Sequence, residues 1–166
     1  MRTALFVIDL QEDYVGEQRN KKRFCYKNTK GLIQSINQEI EKNENEGTTI
    51  IYIKHIFPEN FFFTKVMKLT NLEFVKDLKI LSKNIFIKSK ASAFTNPDLY
   101  PFLKEQGVDR VLICGIDEGG CVSATAWEAN KLGFKVEVMS ECVDTVFKRR
   151  TMNYRKKLRG AGVHYR

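Results

Sequence analysis

Short apolar runs alternate with helix-like segments along this chain, and this alternation restricts its fold more than any other feature. The run TALFVID at 3–9 is apolar up to its Asp, and TTIIYIK at 48–54 is rich in β-branched residues, as in buried strands. The pattern predicts strands over 3–9, 48–54, 84–89, 109–116, 134–139 and 161–165, and helices over 28–46, 96–106, 119–132 and 144–159. It favours a three-layer α/β/α fold with a mainly parallel sheet, in a single domain over 1–166.

One stretch, residues 55–82, shows no clean period and contains the three consecutive phenylalanines Phe61–Phe63. Such a segment could fold over a pocket or form a contact between subunits. Trp127 and the phenylalanine run are more typical of a core or an interface than of a ligand-binding motif. The choice between loop, interface and substrate contact stays open at the level of sequence.

Composition excludes a membrane protein of the helical kind. Hydrophobic residues make up 43% of the chain, but no apolar stretch approaches the roughly 18 residues that span a bilayer. The first apolar run is short, is interrupted by Asp9 and is followed by no cleavage site, so it does not read as a signal peptide. We expect a soluble cytoplasmic protein whose cysteines are free thiols, namely Cys25, Cys114, Cys121 and Cys142.

The net charge of +8 belongs to the C-terminal segment, which has eight Lys or Arg and no acid over 148–166. The other 20 basic residues balance the 20 acidic ones. A basic segment of this kind could attract nucleic acid, an acidic partner or an anionic substrate, and it could also be a solvated helix face.

Three residues of complementary chemistry follow different predicted strands. Asp9 ends the first strand, Lys88 ends the run NIFIK, and Cys121 lies just past DRVLICGI. In open parallel sheets, ligands bind beyond the carboxyl ends of the strands. The pattern therefore places the three residues at one edge, where Asp9 could act as a base and Lys88 as a fixed positive charge. Alternatives stay open: Asp9 could be a cap, Lys88 could be solvated, and Lys90 could take its role.

Cys121 has the most informative surroundings, GIDEGGCVSATAWEA. Gly119 and Gly120 permit a tight turn, and the predicted helix that follows presents free N–H groups and a positive dipole end to the sulfur. Both favour a thiolate nucleophile, and the N–H groups could also hold an oxyanion. The alternative is a structural cysteine packed under the start of the helix.

The sequence predicts neither a metal nor a cofactor. Its two histidines, His55 and His164, form no HxH or HExxH motif, and no CxxC, GxGxxG or Walker loop occurs.

Three segments in order resemble the isochorismatase-like hydrolases, which include nicotinamidases and other cysteine amidohydrolases. They are ALFVIDLQEDYV at 4–15, IFIKSKASAF at 85–94 and LICGIDEGGCVSATAWEA at 112–129. The resemblance implies a triad of Asp9, Lys88 and Cys121, with Lys88 preferred over Lys90 by its distance from Phe94. It also implies a cis peptide at Ile116–Asp117 and an oxyanion hole made by the backbone N–H groups of Asp117 and Cys121. In addition, we expect Gln11, Phe62 and Phe94 to line the substrate pocket.

The chain departs from the family pattern at two places. Asp117-Glu118-Gly119 replaces the usual small-Thr-Asp stretch, and YIKHIFPEN at 52–60 lacks the Asp-x-His metal motif of nicotinamidases. The second departure argues against a nicotinamidase proper. The nucleophilic cysteine, which isochorismatases proper lack, favours hydrolysis of C–N bonds.

The leading prediction is a cysteine hydrolase that cleaves an amide-type bond of a small molecule through a thioester, and that assembles as a homo-oligomer. The alternative is a degenerate scaffold that acts as a binding protein through its basic C-terminus. We do not favour nucleic acid as the partner of such a protein. A thiol-based redox sensor at Cys121 is a third hypothesis.

Overall fold

The computed structural model describes residues 1–57 and 69–166, and in them the predicted alternation of strands and helices is present. The strands are β1 (Arg2–Ile8), β2 (Thr49–His55), β3 (Ile85–Lys88), β4 (Val108–Gly115), β5 (Lys135–Val143) and β6 (His164–Tyr165). The helices are α1 (Glu12–Val15), α2 (Thr29–Asn45), α3 (Leu99–Glu105), α4 (Ser123–Lys131) and α5 (Lys148–Gly160). A 3-10 turn covers Ala93–Thr95, and a π-helical turn covers Glu118–Val122.

The described strands form one six-stranded sheet in the order β3-β2-β1-β4-β5-β6, and every pair in it is parallel. The predicted α/β fold with a mainly parallel sheet is confirmed. Strands β1 and β4 lie side by side at the centre of the sheet. Strands β2 and β3 extend it beyond β1, and strands β5 and β6 extend it beyond β4, so the direction of growth reverses between β1 and β4. A crevice forms at such a reversal because the connections leave the sheet on opposite faces, and ligands bind there.

Alternate side chains of β1 enter two separate cores, which makes the fold three layers thick. Ala4, Phe6 and Ile8 pack with residues of α3, α4 and α5 on one face. Leu5 and Val7 pack with α1 and α2 on the other. Both faces of β1 are buried, which explains why its sequence is continuously apolar rather than alternating.

Gly115 allows β1 and β4 to approach closely at the mouth of the crevice. It adopts a φ of +114°, and a Cβ at this position would lie 2.1 Å from the Ile8 carbonyl oxygen. Only glycine fits this backbone conformation and this contact. Residue 116 follows directly, and its N–H donates to the Ile8 carbonyl.

Several boundaries differ from the sequence prediction. Strand β5 continues to Val143, four residues beyond its predicted end, and α5 begins at Lys148 rather than at 144. Residues 144–147 are not helical because their polar groups bind the turn that carries Cys121: the Asp144 carbonyl accepts from Glu118 N–H. The short helix α1 was not predicted, since four residues are too few to show a period.

The predicted contact of the Phe61–Phe63 run, and with it Phe62, lies outside the described residues. Among the residues that are described, no helix is both long and apolar enough to cross a membrane. All four cysteines are free thiols.

Candidate active site

Asp9, Lys88 and Cys121 meet at the carboxyl edge of the sheet. Asp9 directly follows β1 and has a φ of +56°, a left-handed conformation that non-glycine residues rarely adopt. Its N–H still donates to the Ile53 carbonyl, so the side chain turns out of the strand while the backbone remains tied to β2. Lys88 ends β3, and Cys121 lies in the π-helical turn after β4. Left-handed backbone at such a position is typical of functional sites.

The Lys88 ammonium joins these residues into what we call the lysine cluster, composed of Asp9, Lys88 and Cys121. Nζ lies 2.9 Å from Asp9 Oδ2 and 3.1 Å from Cys121 Sγ. Its third contact is the Lys90 carbonyl at 3.2 Å. An ammonium has three N–H donors, so all are used, as a charge that is only 1% exposed requires. Lys88 rather than Lys90 therefore places its side chain in the site.

Electrostatics keep Lys88 charged. Burial opposes the ammonium, but the carboxylate of Asp9 and the sulfur of Cys121 outweigh it and raise the pKa of Lys88. The cluster thus contains a permanent positive charge beside the sulfur.

The thiol of Cys121 behaves differently from the sequence expectation of a stabilised thiolate. Burial and the negative charge of Asp9 raise its pKa to about 12, and the opposing effect of Lys88 is too small to reverse this. Neither the burial of Cys121 nor its distance from Asp9 is visible in the sequence, where only the start of the following helix pointed to a thiolate. Cys121 is therefore a protonated thiol at neutral pH in the resting site.

The two oxygens of Asp9 have different surroundings. Oδ2 is held by Lys88, whereas Oδ1 is buried and has no hydrogen-bond partner among the described residues. A buried carboxylate oxygen without a partner is costly for the folded state. Oδ1 thus keeps lone pairs that no described residue uses.

His55, one of the two histidines that form no metal motif in the sequence, borders the lysine cluster. Its Nδ1 lies 3.9 Å from Asp9 Oδ2 and 4.0 Å from Cys121 Sγ. Burial, helped by the charge of Lys88, lowers its pKa to about 4, so the ring is neutral at pH 7. The signal that could have located it is the strand end itself, because His55 ends β2 and pairs with Lys88 of β3.

Asp9, His55 and Cys121 place one ligand atom each within 4.8 Å of one another, the spacing of a metal site. The chemistry of this set does not fit a cation. The Lys88 ammonium already binds both Asp9 and Cys121, so a metal ion there would face a buried positive charge. The ring of Phe57 also packs against His55, with centroids 4.1 Å apart.

The turn that carries Cys121 is held by Asp117. The Ile116–Asp117 peptide bond is cis, at the position where the resemblance implies it. The Asp117 carboxylate accepts hydrogen bonds from Gly119 N (2.8 Å) and Val146 N (2.8 Å), and from the hydroxyls of Tyr26 (3.0 Å) and Thr145 (2.6 Å). With four donors its oxygens are satisfied, so this carboxylate shapes the turn and is not available as a base.

A second acid of the same turn is anchored from the opposite side. Glu118 is only 2% exposed, and both of its oxygens bind Arg155 of α5, one of them at 2.8 Å from Nη2. We call this contact the arginine pair. Sequence reasoning treated Glu118 only as a departure from the family pattern and Arg155 as part of a basic segment. The two residues lie 37 positions apart in the chain, so nothing in the sequence indicates that they pair.

A cavity of about 430 Å³ opens onto the lysine cluster. Its walls are mainly aromatic and aliphatic, and they also include Asp9 and Cys121. The remaining lining residues are Tyr14, Arg23, Phe24, Tyr26, His55, Phe57, Ile116, Asp117, Val146 and Phe147. The aromatic residues of this wall were missed from the sequence, because they come from loops and from a helix too short to show a period.

The structure does not bring Gln11 or Phe94 to this lining. The Gln11 side chain is completely buried and bonds the backbone N–H and C=O of His55 and the Leu72 carbonyl. Phe94 packs into the core, with ring centroids 6.0 Å from Phe6 and 6.2 Å from Phe134. Gln11 therefore holds His55 from behind the cavity wall, whereas Phe94 packs against the core and not against the site.

Comparisons with known proteins agree with this architecture. The isochorismatase domain model matches residues 3–165. Among relatives, the isochorismatase family protein YddQ of Bacillus subtilis is 27% identical over 87% of this chain and 79% of its own. Maleamate amidohydrolase of Pseudomonas putida is 42% identical, over 36% of this chain and 28% of its own.

Among solved structures, the pyrazinamidase of Pyrococcus horikoshii in complex with zinc superposes with a TM-score of 0.80 at 24% identity, over 100% of this chain and 99% of its own. This likeness establishes the same fold, although the Lys88 ammonium leaves the residues here unsuited to a metal ion. With a family model that covers nearly its whole length, the chain belongs to the isochorismatase family, among the isochorismatase-like hydrolases.

Proposed function

We propose that this protein is a cysteine hydrolase that cleaves the C–N bond of a small amide through a thioester on Cys121. The observation that carries the proposal is the lysine cluster: one buried ammonium contacts both a carboxylate and a thiol whose residues line a cavity. A nucleophile, a base and a fixed positive charge are thereby in mutual contact. The names of the maleamate amidohydrolase and pyrazinamidase that resemble this chain describe amide hydrolysis in those proteins.

Acylation begins when Asp9 takes the thiol proton of Cys121. Because the pKa of the thiol is raised to about 12, we infer that this transfer accompanies attack and does not precede it. The sulfur bonds to the amide carbon while Lys88 balances its charge. Backbone N–H groups of Asp117 and Cys121 are the proposed donors to the oxyanion. As the C–N bond breaks, Asp9 returns the proton to nitrogen, so that ammonia or an amine leaves and a thioester remains.

Deacylation uses Asp9 a second time. Oδ1 removes a proton from water, the resulting hydroxide attacks the thioester carbon, and the C–S bond breaks. The sulfur regains the proton from Asp9. The sum of the two stages is an amide plus water giving a carboxylic acid plus ammonia or an amine, and the site returns to its initial state.

The test compares Cys121→Ala with Cys25→Ala, a change at the exposed cysteine. Ammonia release is measured over a panel of small primary amides, and acyl-enzyme is trapped by acid quench and peptide mass spectrometry. We expect Cys121→Ala to lose turnover by about 10³-fold or more, since only binding and oxyanion contacts remain. Full turnover by Cys121→Ala would refute the proposal.

The alternative of a binding protein receives no specific support. Several cations of the C-terminal segment are engaged within the chain: Arg155 binds Glu118, Lys157 lies over the Trp127 ring at 4.1 Å, and Arg159 lies over Tyr165 at 5.1 Å. Formation of a homo-oligomer and a cytoplasmic location stay predictions from the sequence.

A further inference from the structure

Much of the positive charge of the chain lies in two stretches that border the cavity. Residues 18–38 contain six Lys or Arg and residues 145–166 contain eight, and neither stretch contains an acid. Together they hold half of the 28 cations of the chain and none of its 20 acids. The wall residues that they supply are Arg23, Phe24, Tyr26, Val146 and Phe147. The cavity is therefore bordered by the two segments in which cations are not balanced by acids.

The loop that carries Arg23 is held in a defined conformation by another arginine. The guanidinium of Arg19 donates to the carbonyls of Phe24 at 2.9 Å, Tyr26 at 2.9 Å and Gly16 at 3.1 Å. These bonds fix the part of the loop that forms the wall. Arg23 itself lines the cavity and is exposed, so it lies where the wall meets solvent.

A second exposed arginine lies beside a wall residue that comes from the other stretch. Phe147 lines the cavity and is 49% exposed, so it belongs both to the wall and to the surface. The guanidinium of Arg150 lies over the Phe147 ring, 5.8 Å from its centroid, and over the Tyr154 ring at 5.6 Å. These two ring contacts keep the cation next to the mouth of the cavity.

Both arginines belong to runs of three consecutive cations, all of them exposed. Lys21–Arg23 directly precedes Phe24, and Lys148–Arg150 directly follows Phe147. We call these two runs the cationic rim. The second run forms the first turn of α5, which contains no acid and has no side-chain cap. Because the N-terminal end of a helix is itself positive, stability alone would favour acids there. The fold therefore does not account for the cations of this turn.

The acids of the wall do not cancel the cationic rim. Asp9 is paired with Lys88, which is buried with it. The Asp117 carboxylate accepts four hydrogen bonds, and two carboxylates are fewer than the six cations of the rim. An excess of positive charge thus remains around the entrance, in water-exposed side chains that can move toward a ligand.

We propose that the cationic rim selects anionic substrates: the amide enters toward Cys121 while a carboxylate or phosphate of the same molecule stays beside Arg23 and Arg150. This deepens the proposed function and rests on it, since it takes the scissile amide to react at Cys121. Cations around a cavity raise the local concentration of anions and speed their association, and salt screens this effect. The substrate class is then a small amide whose body carries an anionic group.

The first test measures the charge effect at the sulfur without a substrate. Iodoacetate and iodoacetamide are nearly equal in size and alkylate thiols in the same way, but iodoacetate carries one negative charge. The ratio of their rates at Cys121 is read by peptide mass spectrometry and divided by the ratio for N-acetylcysteinamide in solution. Changes in thiol pKa or in access affect both reagents and cancel. The ionic strengths are about 10 mM and about 0.5 M, where the Debye length is about 30 Å and about 4 Å.

The mouth variant is Arg23→Gln combined with Arg150→Gln. Its matched control, Lys104→Gln combined with Lys135→Gln, removes the same charge beside the first residues of β4 and β5, at the opposite edge of the sheet. A second control, Arg23→Lys combined with Arg150→Lys, keeps the charge and changes the shape of the side chains.

At low salt we expect the mouth variant to lower the ratio by about 2- to 5-fold, and both controls to leave it unchanged. At high salt the difference should disappear. An unchanged ratio in the mouth variant overturns the inference. An equal fall in the Lys104 and Lys135 control also overturns it, since the net charge of the protein would then be responsible and not the cationic rim.

The second test compares three amides of similar length, namely pentanamide, glutaramate and 3-phosphooxypropanamide, which are neutral, singly charged and about doubly charged at neutral pH. Binding is measured as protection of Cys121 from iodoacetamide, which needs no turnover, and ammonia release is measured alongside. At low salt the anionic amides should protect at a concentration about 3-fold or more lower than pentanamide, and the mouth variant should lose this preference. Equal protection by all three amides, or a preference that persists in the mouth variant, contradicts the proposal. The order of glutaramate and the phosphate compound identifies the preferred anion.

The two proposals fail separately. If Cys121→Ala abolishes turnover but the mouth variant keeps the alkylation ratio, the hydrolase stands and the role of the cationic rim falls. If Cys121→Ala retains turnover, the hydrolase mechanism falls, and the alkylation ratio at Cys121 in the unmodified protein still reports whether the rim attracts anions.

Discussion

The lysine cluster and the arginine pair both contain buried charges beside Cys121, but they differ in how completely their atoms are bonded. In the arginine pair, both oxygens of Glu118 bind Arg155. In the lysine cluster, every donor of Lys88 is used, yet Asp9 Oδ1 has no partner among the described residues and the Cys121 thiol retains its proton. A fully bonded pair positions the turn, whereas a partly bonded cluster can exchange protons with a ligand.

The two also differ in where their cations lie. Lys88 has no exposed side-chain surface, whereas the side chain of Arg155 is 38% exposed. Water screens the arginine pair and can replace part of its contact. Substitutions in the lysine cluster should therefore change chemistry most, and substitutions in the arginine pair should change stability and geometry.

The largest effect is expected for Asp9→Asn. The substitution removes the carboxylate that raises the pKa of Cys121 and leaves Lys88, which lowers it, so the thiol pKa should fall. Alkylation of Cys121 should then become faster at a given pH, while amide hydrolysis is lost because no base remains. The measurements are the pH profile of iodoacetamide alkylation of Cys121 and the rate of ammonia release.

Asp109→Asn is the control for this experiment, because its carboxylate binds the Arg2 N–H at the far end of the sheet. It should leave both profiles unchanged. A Cys121 that becomes less reactive in Asp9→Asn would show that the carboxylate promotes the thiolate in the resting site. The lysine cluster would then not differ from the arginine pair in the way described above.

An intermediate effect is expected for Arg155→Met, which leaves Glu118 buried without its partner. The free energy of unfolding should fall by about 1–3 kcal/mol, discounted for the exposure of the arginine. Because the turn also carries Cys121, kcat should fall, by up to about 10²-fold if the sulfur moves by an ångström. Urea denaturation and steady-state kinetics measure the two quantities.

Arg159→Met is the matched control, because Arg155 and Arg159 both lie over the Tyr165 ring, at 5.4 Å and 5.1 Å from its centroid. Arg159, unlike Arg155, binds no carboxylate that the structure describes. The double variant Glu118→Gln with Arg155→Met should recover part of the lost stability, because it removes the unpaired charge. If Arg155→Met and Arg159→Met lose the same amount of stability, the effect comes from ring stacking and the arginine pair has no special role.

The smallest effect near neutral pH is expected from His55. Its folded pKa of about 4 lies below the usual 6.5, so below pH 6.5 the unfolded chain binds a proton that the folded chain does not. The stability due to this difference is complete above pH 6.5 and is lost as the pH falls toward 4, with a slope of at most about 1.4 kcal/mol per pH unit.

His55→Gln should reduce that slope and leave stability near pH 8 little changed, apart from the packing lost against Phe57. His164→Gln, a change at the other histidine, which is exposed, is the control. Urea denaturation from pH 4.5 to pH 8 measures the slope. An unaltered slope in His55→Gln would mean that the folded protein binds the His55 proton as readily as the unfolded chain does, which contradicts the lowered pKa.

Local sequence was sufficient for the strand ends. Asp9, Lys88 and Cys121 each follow an apolar run, and the carboxyl ends of parallel strands share an edge, so their common location could be predicted from pattern alone. Predictions that depended on side-chain direction were less successful. Gln11 and Phe94 were expected in the cavity, but Gln11 bonds the backbone of β2 and Phe94 packs, partly buried, against the core. A residue's place in a strand or turn does not specify which neighbours its side chain meets.

The sequence by itself determined the alternation of strands and helices, the free thiols and the edge of the sheet at which the chemistry lies, because these follow from periodicity and from local composition. Tertiary structure alone decided that Cys121 is a protonated thiol and that Glu118 meets Arg155. The physical reason is that burial and the distance between charges depend on contacts between residues far apart in the chain, and these quantities set pKa values and hydrogen-bond partners.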